Sequence, residues 1–320
     1  KDYINFTICE RGKVREISKL NYYPHRIYQR CIIDVTRPIM VGKLIPYTYA
    51  ALKGRGMHQA LYDLRGWLLT DPVNTQWCLK IDISKYFPHV DHTKLKSVLR
   101  ELFGDTELLA AFDEIIDSHD VGIPIGNYTS QYFANVYLYK FDRWCHDNVV
   151  YYSRYMDDMV FLARDRYSLL QLYRDISWRL MRDYGLTVKD NWQIFNVDER
   201  GVDYVGYRIF RNRVLLRNQL YRNMLDVTNQ VRKMYKKRGY VTERERCQLG
   251  SYFGWILRCT PKVRHELYKK HFSDIFIPTK EKQLRLCHQH RIISVQEMEI
   301  QDLTQVVWEH SHQVHSILIK

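Results

Sequence analysis

The chain has 320 residues, 46% of them hydrophobic and 27% charged, which fits a soluble globular protein able to bury one large core or two to three smaller ones. No apolar run approaches the roughly 20 residues that a membrane span needs, and no charged-then-apolar leader opens the sequence, so no membrane partner and a cytoplasmic setting are expected. Lys1, not Met, stands first, which leaves an earlier leader open. Lys and Arg outnumber Asp and Glu by 49 to 36, a net charge of +13, and a surplus of that size favours a polyanionic partner, most commonly nucleic acid. The 25 tyrosines suit stacking on bases as well as ordinary packing. Seven scattered cysteines without a CxxC pair indicate free thiols in a reducing compartment.

Taken in chain order, Lys13–Ser18 reads as a short strand and Tyr23–Met40 as helix-like, followed by the basic loop Lys53-Gly54-Arg55-Gly56. From 77 to 84, Trp77, Leu79, Ile81 and Ile83 alternate with Cys78, Lys80, Asp82 and Ser84, the period of a strand with one buried face. Helices are predicted over 92–103 and 107–118. Another is predicted from an N-cap at Ser130 through Phe133, Tyr137, Phe141 and Trp144. Val149–Arg154 and Met159–Ala163 are strands joined at Tyr155-Met156-Asp157-Asp158, a hairpin. A helix over 167–184 and strands near 192–197, 202–210 and 213–216 complete a β-α-α-β-β-α-β order. That order argues an α+β sheet with helices on one face. After 217 the pattern is helical, with an apolar stripe of Leu220, Met224, Val227, Val231 and Met234 and a basic remainder of Arg222, Arg232, Lys233, Lys236, Lys237 and Arg238. Two more helices are marked by Leu249, Phe253 and Ile256, and by Pro261. The stretch 273–320 has no clear plan. Its Cys287-His288-Gln289-His290 run and His310, His312 and His315 fit no standard zinc spacing and read as surface histidines.

Two adjacent aspartates at a hairpin tip raise each other's pKa unless a cation intervenes, and hard carboxylate oxygens suit Mg²⁺. The setting of Asp157 and Asp158 between two hydrophobic strands is unusual, because such a turn is normally Asn-Gly or Asp-Gly. Asp82 lies on the minority polar face at the C-terminal end of its strand, where ligands gather in α/β sheets. Taken alone, Asp82 reads first as a capping carboxylate or one paired with Lys80 or Lys85.

Lys80-Ile81-Asp82-Ile83-Ser84-Lys85-Tyr86-Phe87, then Gly122-Ile123-Pro124-Ile125-Gly126-Asn127-Tyr128-Thr129-Ser130-Gln131, then Tyr155-Met156-Asp157-Asp158 resemble reverse transcriptase motifs A, B and C in order and spacing. Gly12–Ile17, Tyr49–Gly56 and Gly201–Tyr207 resemble the fingers strand, a second block of bacterial retroelement enzymes and the turn that supports the primer. The resemblance covers about residues 1–272 and implies a right-hand polymerase. Fingers would occupy 1–76 with part of the palm. The palm would occupy 77–216 with a fingers insertion near 92–120, and a helical thumb 217–272.

It also implies an RNA-directed DNA polymerase that makes cDNA with two Mg²⁺ ions, Mn²⁺ substituting, held by Asp82, Asp157, Asp158 and the Ile83 carbonyl. By the same resemblance Lys189 protonates pyrophosphate. Lys13, Arg15, Phe87 (an aromatic gate against the ribose 2′-hydroxyl), Ile125, Gly126 and Gln131 face the incoming deoxynucleotide. Lys53, Arg55, Tyr155, Met156, Gly206, Arg232, Lys233, Lys236 and Lys237 face template RNA and primer.

Most relatives read Gln-Gly-x-x-x-Ser-Pro in motif B. The Ile125-Gly126-Asn127-Tyr128-Thr129-Ser130-Gln131 form is similar to enzymes of diversity-generating retroelements, prokaryotic or phage-encoded. That subtype implies errors opposite template adenines, a small basic accessory protein and a structured retroelement RNA. A group II intron, retron or phage-defence enzyme, and an inactive RNA-binding palm, are the other readings.

Overall fold

The structure, a computed structural model, describes residues 3–10 and 13–276. It divides into two compact units, Lys1–Arg217 and Asn218–Lys320. The histidine- and cysteine-bearing segments at 287–290 and 310–315 lie outside the described residues.

The first unit opens with an antiparallel hairpin of β1 (Ile4–Glu10) and β2 (Lys13–Lys19), then α1 (Ile27–Lys43), β3 (Thr48–Tyr49) and α2 (Met57–Thr70). Next come β4 (Trp77–Asp82), α3 (His92–Leu102), α4 (Thr106–Ile116), α5 (Ser130–Tyr137) and α6 (Tyr139–Asn148). β5 (Tyr151–Tyr155), β6 (Asp158–Ala163), α7 (Arg166–Tyr184), β7 (Gln193–Asn196) and the single turn α8 (Val197–Arg200) follow. Three short strands, β8 (Val202–Tyr204), β9 (Tyr207–Ile209) and β10 (Val214–Leu216), close the unit.

Local chemistry sets several helix ends. Asp91, Asp105 and Asp165 each accept a backbone N–H of the first turn, from Lys94, Leu108 and Ser168, and so start α3, α4 and α7. Gly185, at φ +69°, ends α7 in the left-handed conformation that a glycine adopts without strain.

The central sheet runs β3-β5-β6-β4-β7 and is antiparallel except at the edge, where β3 pairs parallel to β5. Alternation along the strands gives the sheet two characters. Leu79, Ile81, Met159, Phe161 and Tyr152 pack into the core with residues of α5, α6 and α7. Lys80, Asp82 and Asp158 point to the opposite face, where the ammonium of Lys80 lies 5.4 Å from the ring of Tyr204 in the β8–β10 sheet. The expected α+β class is what the chain adopts.

Three expectations need correction. The helix expected from Ser130 to Trp144 is two helices, broken at Leu138 with φ −102° and ψ 11°. Thr129, not Ser130, stands at the N-cap of α5, and its side chain makes no capping bond. The stretch 202–210 is a hairpin, because Val205 and Gly206 both take positive φ (43° and 89°) and reverse the chain.

In the second unit, α9 (Asn218–Arg238), α10 (Glu243–Ile256) and α11 (Pro261–His271) bury Leu220, Met224, Val231, Leu249, Phe253, Ile256 and Phe272. Thr228 takes the buried position on α9 that the apolar stripe had assigned to Val227. Thr242 and Glu245 bond reciprocally to each other's backbone and start α10. Among the described residues no helix is long and apolar enough to cross a membrane, and none of the six described cysteines is in a disulfide.

Candidate active site

Asp82 and Asp158 are direct cross-strand partners at the end of the β4–β6 ladder, so both carboxylates leave the same face of the sheet. Tyr155 pairs with Asp158 across β5 and β6, leaving Met156 and Asp157 as a two-residue turn with Met156 at φ +55°. The turn is tied down from the β4 side, where the Ile83 N–H donates to the Asp157 carbonyl at 2.9 Å. Asp82 is tied in turn by its own carbonyl, which accepts the Lys189 N–H at 2.8 Å. Main-chain bonds thus bring Asp82 to Asp157 and Asp158, a pair that begins 75 residues later in the sequence.

Three carboxylates this close need positive charge, and two lysines supply it. The Lys189 ammonium stands between Asp82 and Asp157, 3.6 Å from one carboxylate oxygen and 3.4 Å from the other. Lys80 pairs with Asp158 on that same face, and burial pushes its own pKa down to about 8. Asp158 is thus engaged by Lys80, and among the described residues no three acidic, histidine or cysteine side chains are grouped to hold a metal ion. The donor chemistry still fits one: the gap between Asp82 and Asp157 already holds a cation, and both donors are hard oxygens.

Around this centre, Phe87 begins a 3₁₀ turn (Phe87–His89) shortly after β4 and is half-buried against the core. Its carbonyl accepts the Ile123 N–H at 3.0 Å, which docks the 122–129 loop on the turn. The same loop meets β2: Ser18 N–H donates to the Ile125 carbonyl at 3.0 Å, and a Cβ on Gly126 would lie 2.6 Å from the Ser18 carbonyl oxygen. Gly126, at φ +133°, is there because the β2 backbone leaves no room for a side chain. Ile125 is half-buried, Gln131 is exposed on the first turn of α5, and Lys13 and Arg15 lie on β2.

The basic residues divide. Lys53 is exposed at the tip of its loop, whereas the Arg55 guanidinium donates to the Ile45 carbonyl at 3.0 Å. In the second unit Lys233, Lys236 and Lys237 are exposed, but Arg232 is engaged by Asp274 and the His271 carbonyl. Tyr155 is partly buried, and burial raises its phenol pKa. Gly206 closes the β8–β9 turn, and its carbonyl accepts the Arg217 N–H at 3.0 Å.

Sequence reasoning missed Arg154 and Asp142. Both side chains are fully buried, and the Arg154 guanidinium donates to Asp142, to the Asn135 carbonyl and to the Met156 carbonyl of the turn. A charged residue at the inward position of a strand was the available signal.

The family model described as reverse transcriptase (RNA-dependent DNA polymerase) matches residues 7–209, well over half of the chain. The chain belongs to the reverse transcriptase family. No curated protein matches its sequence. Among solved structures, it is similar to telomerase of Candida tropicalis in complex with a TWJ fragment of telomeric RNA (12% identity, TM-score 0.56, covering 85% of this chain and 55% of that one). It is also similar to apo telomerase of the same organism truncated from its C-terminal domain (12% identity, TM-score 0.54, covering 67% and 54%). At that identity the likeness is one of fold, a reverse transcriptase fold, and the chain spans little more than half the length of either telomerase. Members of the family generally use divalent metal ions.

Proposed function

We propose that the chain is an RNA-directed DNA polymerase that copies template RNA into cDNA at the Asp82–Asp157–Asp158 face. The observation that carries this reading is the Asp82–Asp158 cross-strand pair beside the Met156-Asp157 turn, inside a domain of the reverse transcriptase family. Asp82, Asp157, Asp158 and the Ile83 carbonyl would hold Mg²⁺, or Mn²⁺ in its place. When bound, such ions supply Lewis-acid stabilisation of the phosphate under transfer.

The protein's own residues do the rest. Lys189, between the two carboxylates, holds a proton within reach of a leaving pyrophosphate. Lys13 and Arg15 on β2 offer a point charge and a guanidinium fork to a triphosphate. Lys53, Lys233, Lys236 and Lys237 offer exposed charge to the phosphate backbones of template and primer. Extension of a primer on an RNA template with deoxynucleotides and Mg²⁺ tests the reading. A full-length product is expected, and a folded protein that makes none would sink it.

The Phe87 ring beside the docked loop supports a gate against ribonucleotides. Phe87→Ala is expected to raise ribonucleotide use relative to deoxynucleotide use by about 10- to 100-fold, the range of steric discrimination in an apolar pocket. Single-nucleotide incorporation kinetics measure it, and an unchanged ratio would return Phe87 to a packing role.

Ile125 supports the finer reading of a diversity-generating enzyme with a retroelement RNA and a small basic accessory protein. Its apolar side chain offers a nascent pair shape but no hydrogen bond. Ile125→Gln is expected to lower errors opposite adenine by about ten-fold, since one discriminating hydrogen bond is worth about 1–2 kcal/mol. Sequencing of cDNA from a template with all four bases checks this, and a wild-type spectrum that is low and even across bases would exclude the subtype.

A further inference from the structure

We infer that the buried Arg154–Asp142 pair is the positioning device that sets the geometry of the Met156-Asp157 turn, and so the place of Asp157. The inference rests on the polymerase reading for its kinetic consequence, but not for its structural one. Arg154 stands one residue before Tyr155, on the core-facing side of β5, with no exposed side-chain surface. A buried guanidinium is tolerated only where its charge and its N–H groups are met. Here each is met by something different. Nε donates to Asp142 at 2.7 Å and Nη2 donates to its other oxygen at 2.5 Å. Nη2 also reaches the Asn135 carbonyl at 3.1 Å, near the end of α5. The remaining arm, Nη1, donates to the Met156 carbonyl at 3.2 Å.

Asp142 is fixed with equal care. Thr48 of β3 donates to it at 3.0 Å and Tyr152 of β5 at 2.7 Å. The fork of Arg154 therefore ends on an anchor held by β3, β5 and α6, and its free end grips a turn residue in the left-handed region, where a side chain such as Met156 is disfavoured. The opposite side of the same turn is held by the Ile83 N–H on the Asp157 carbonyl. With one bond from Ile83, just past β4, and one from Arg154, the turn is clamped at two successive carbonyls. Loss of the Arg154 arm leaves it held on one side only.

Lysine cannot reproduce this, because one ammonium on a thinner stem cannot span Asp142, Asn135 and Met156 together. Two variants separate positioning from mere core support. Arg154→Lys keeps the charge against Asp142, and the double variant Asp142→Asn with Arg154→Met removes both charges at once while leaving an amide oxygen to accept from Thr48 or Tyr152.

Amide hydrogen exchange, measured without metal or nucleic acid, is the first readout. Peptides through residues 155–160 are expected to exchange at least ten-fold faster in both variants, while peptides of α7 and α9 stay as in wild type. Primer extension is the second, with kcat expected to fall at least ten-fold and KM for deoxynucleotide to stay within about two- to three-fold. Uniform acceleration across residues 3–217, an unchanged turn, or failure of both variants to fold would overturn the inference and leave Arg154 as core support. A wild-type protein that extends no primer would instead overturn the polymerase reading, while the exchange result still decides the role of Arg154.

Discussion

Asp157→Ala is expected to leave the protein as stable as wild type and to reduce primer extension by about a thousand-fold or more. The two halves of that expectation have separate causes. Asp157 sits at the tip of a two-residue turn, and its side chain is 42% exposed and faces the Lys189 ammonium. Removing it opens no cavity and orphans no buried donor. It also relieves crowding among three carboxylates, which favours the folded state slightly. For catalysis the same atom is costly to lose. A carboxylate that helps hold a divalent cation at a developing phosphoryl charge contributes several kcal/mol, and about 4 kcal/mol corresponds to about a thousand-fold in rate. Parallel thermal melts and extension assays decide it. Residual activity above a tenth of wild type would mean that Asp157 is no ligand, while a large drop in melting temperature would mean that the loss is structural.

Gly122→Ala is expected to cost about 3 kcal/mol or more, whereas Gly54→Ala is expected to cost about 1 kcal/mol. Both glycines have positive φ, 64° and 78°, so both substitutions carry the penalty of placing a Cβ in the left-handed region. They differ in what that Cβ meets. At Gly54 nothing lies within 4 Å. At Gly122 the new carbon would fall 2.4 Å from the Phe87 carbonyl oxygen and 2.5 Å from that of Pro88. These are main-chain atoms that cannot swing aside, and overpacking of that kind adds about 1–3 kcal/mol. Relief requires the 122–129 loop to lift, with loss of the Ile123-to-Phe87 hydrogen bond. Gly122→Ala is therefore also expected to loosen the turn carrying Phe87. Denaturant unfolding of the two variants is the measurement, and equal losses would remove the steric part of the argument.

What the sequence disclosed depended on whether the information was local. The alternation of β4 and the two apolar strands around Tyr155-Met156-Asp157-Asp158 were readable because a half-buried strand writes its period into neighbouring residues. Helix α2 was missed although Ala60, Leu61, Leu64 and Leu68 carry the right spacing. Gly56 stands at its N-cap without a capping bond, so no start signal marked it. The break at Leu138 was invisible because apolar residues continue across it and the two helices share one core.

Partners, in contrast, cannot be read from charge. Arg55 and Arg232 look like free cations in the chain, yet one is fastened to the Ile45 carbonyl and the other to Asp274, 42 residues away. Arg154 looks like an accident in a strand, and only the folded chain brings Asp142, Asn135 and Met156 around it. Lys80 was readable as a neighbour of Asp82, but its partner is Asp158 on the adjacent strand. A salt bridge across a sheet is set by register, which the sequence does not print.

The contact between β2 and the 122–129 loop is made by the main chain, Ser18 N–H to Ile125 carbonyl, with the space cleared by Gly126. A main-chain bond is indifferent to the side chain it passes. Position 125 can therefore exchange one side chain for another while the β1–β2 hairpin stays moored where it is. On the role proposed for Ile125, copying accuracy would rest on its side chain and hairpin placement on its main chain, so one could drift without dragging the other.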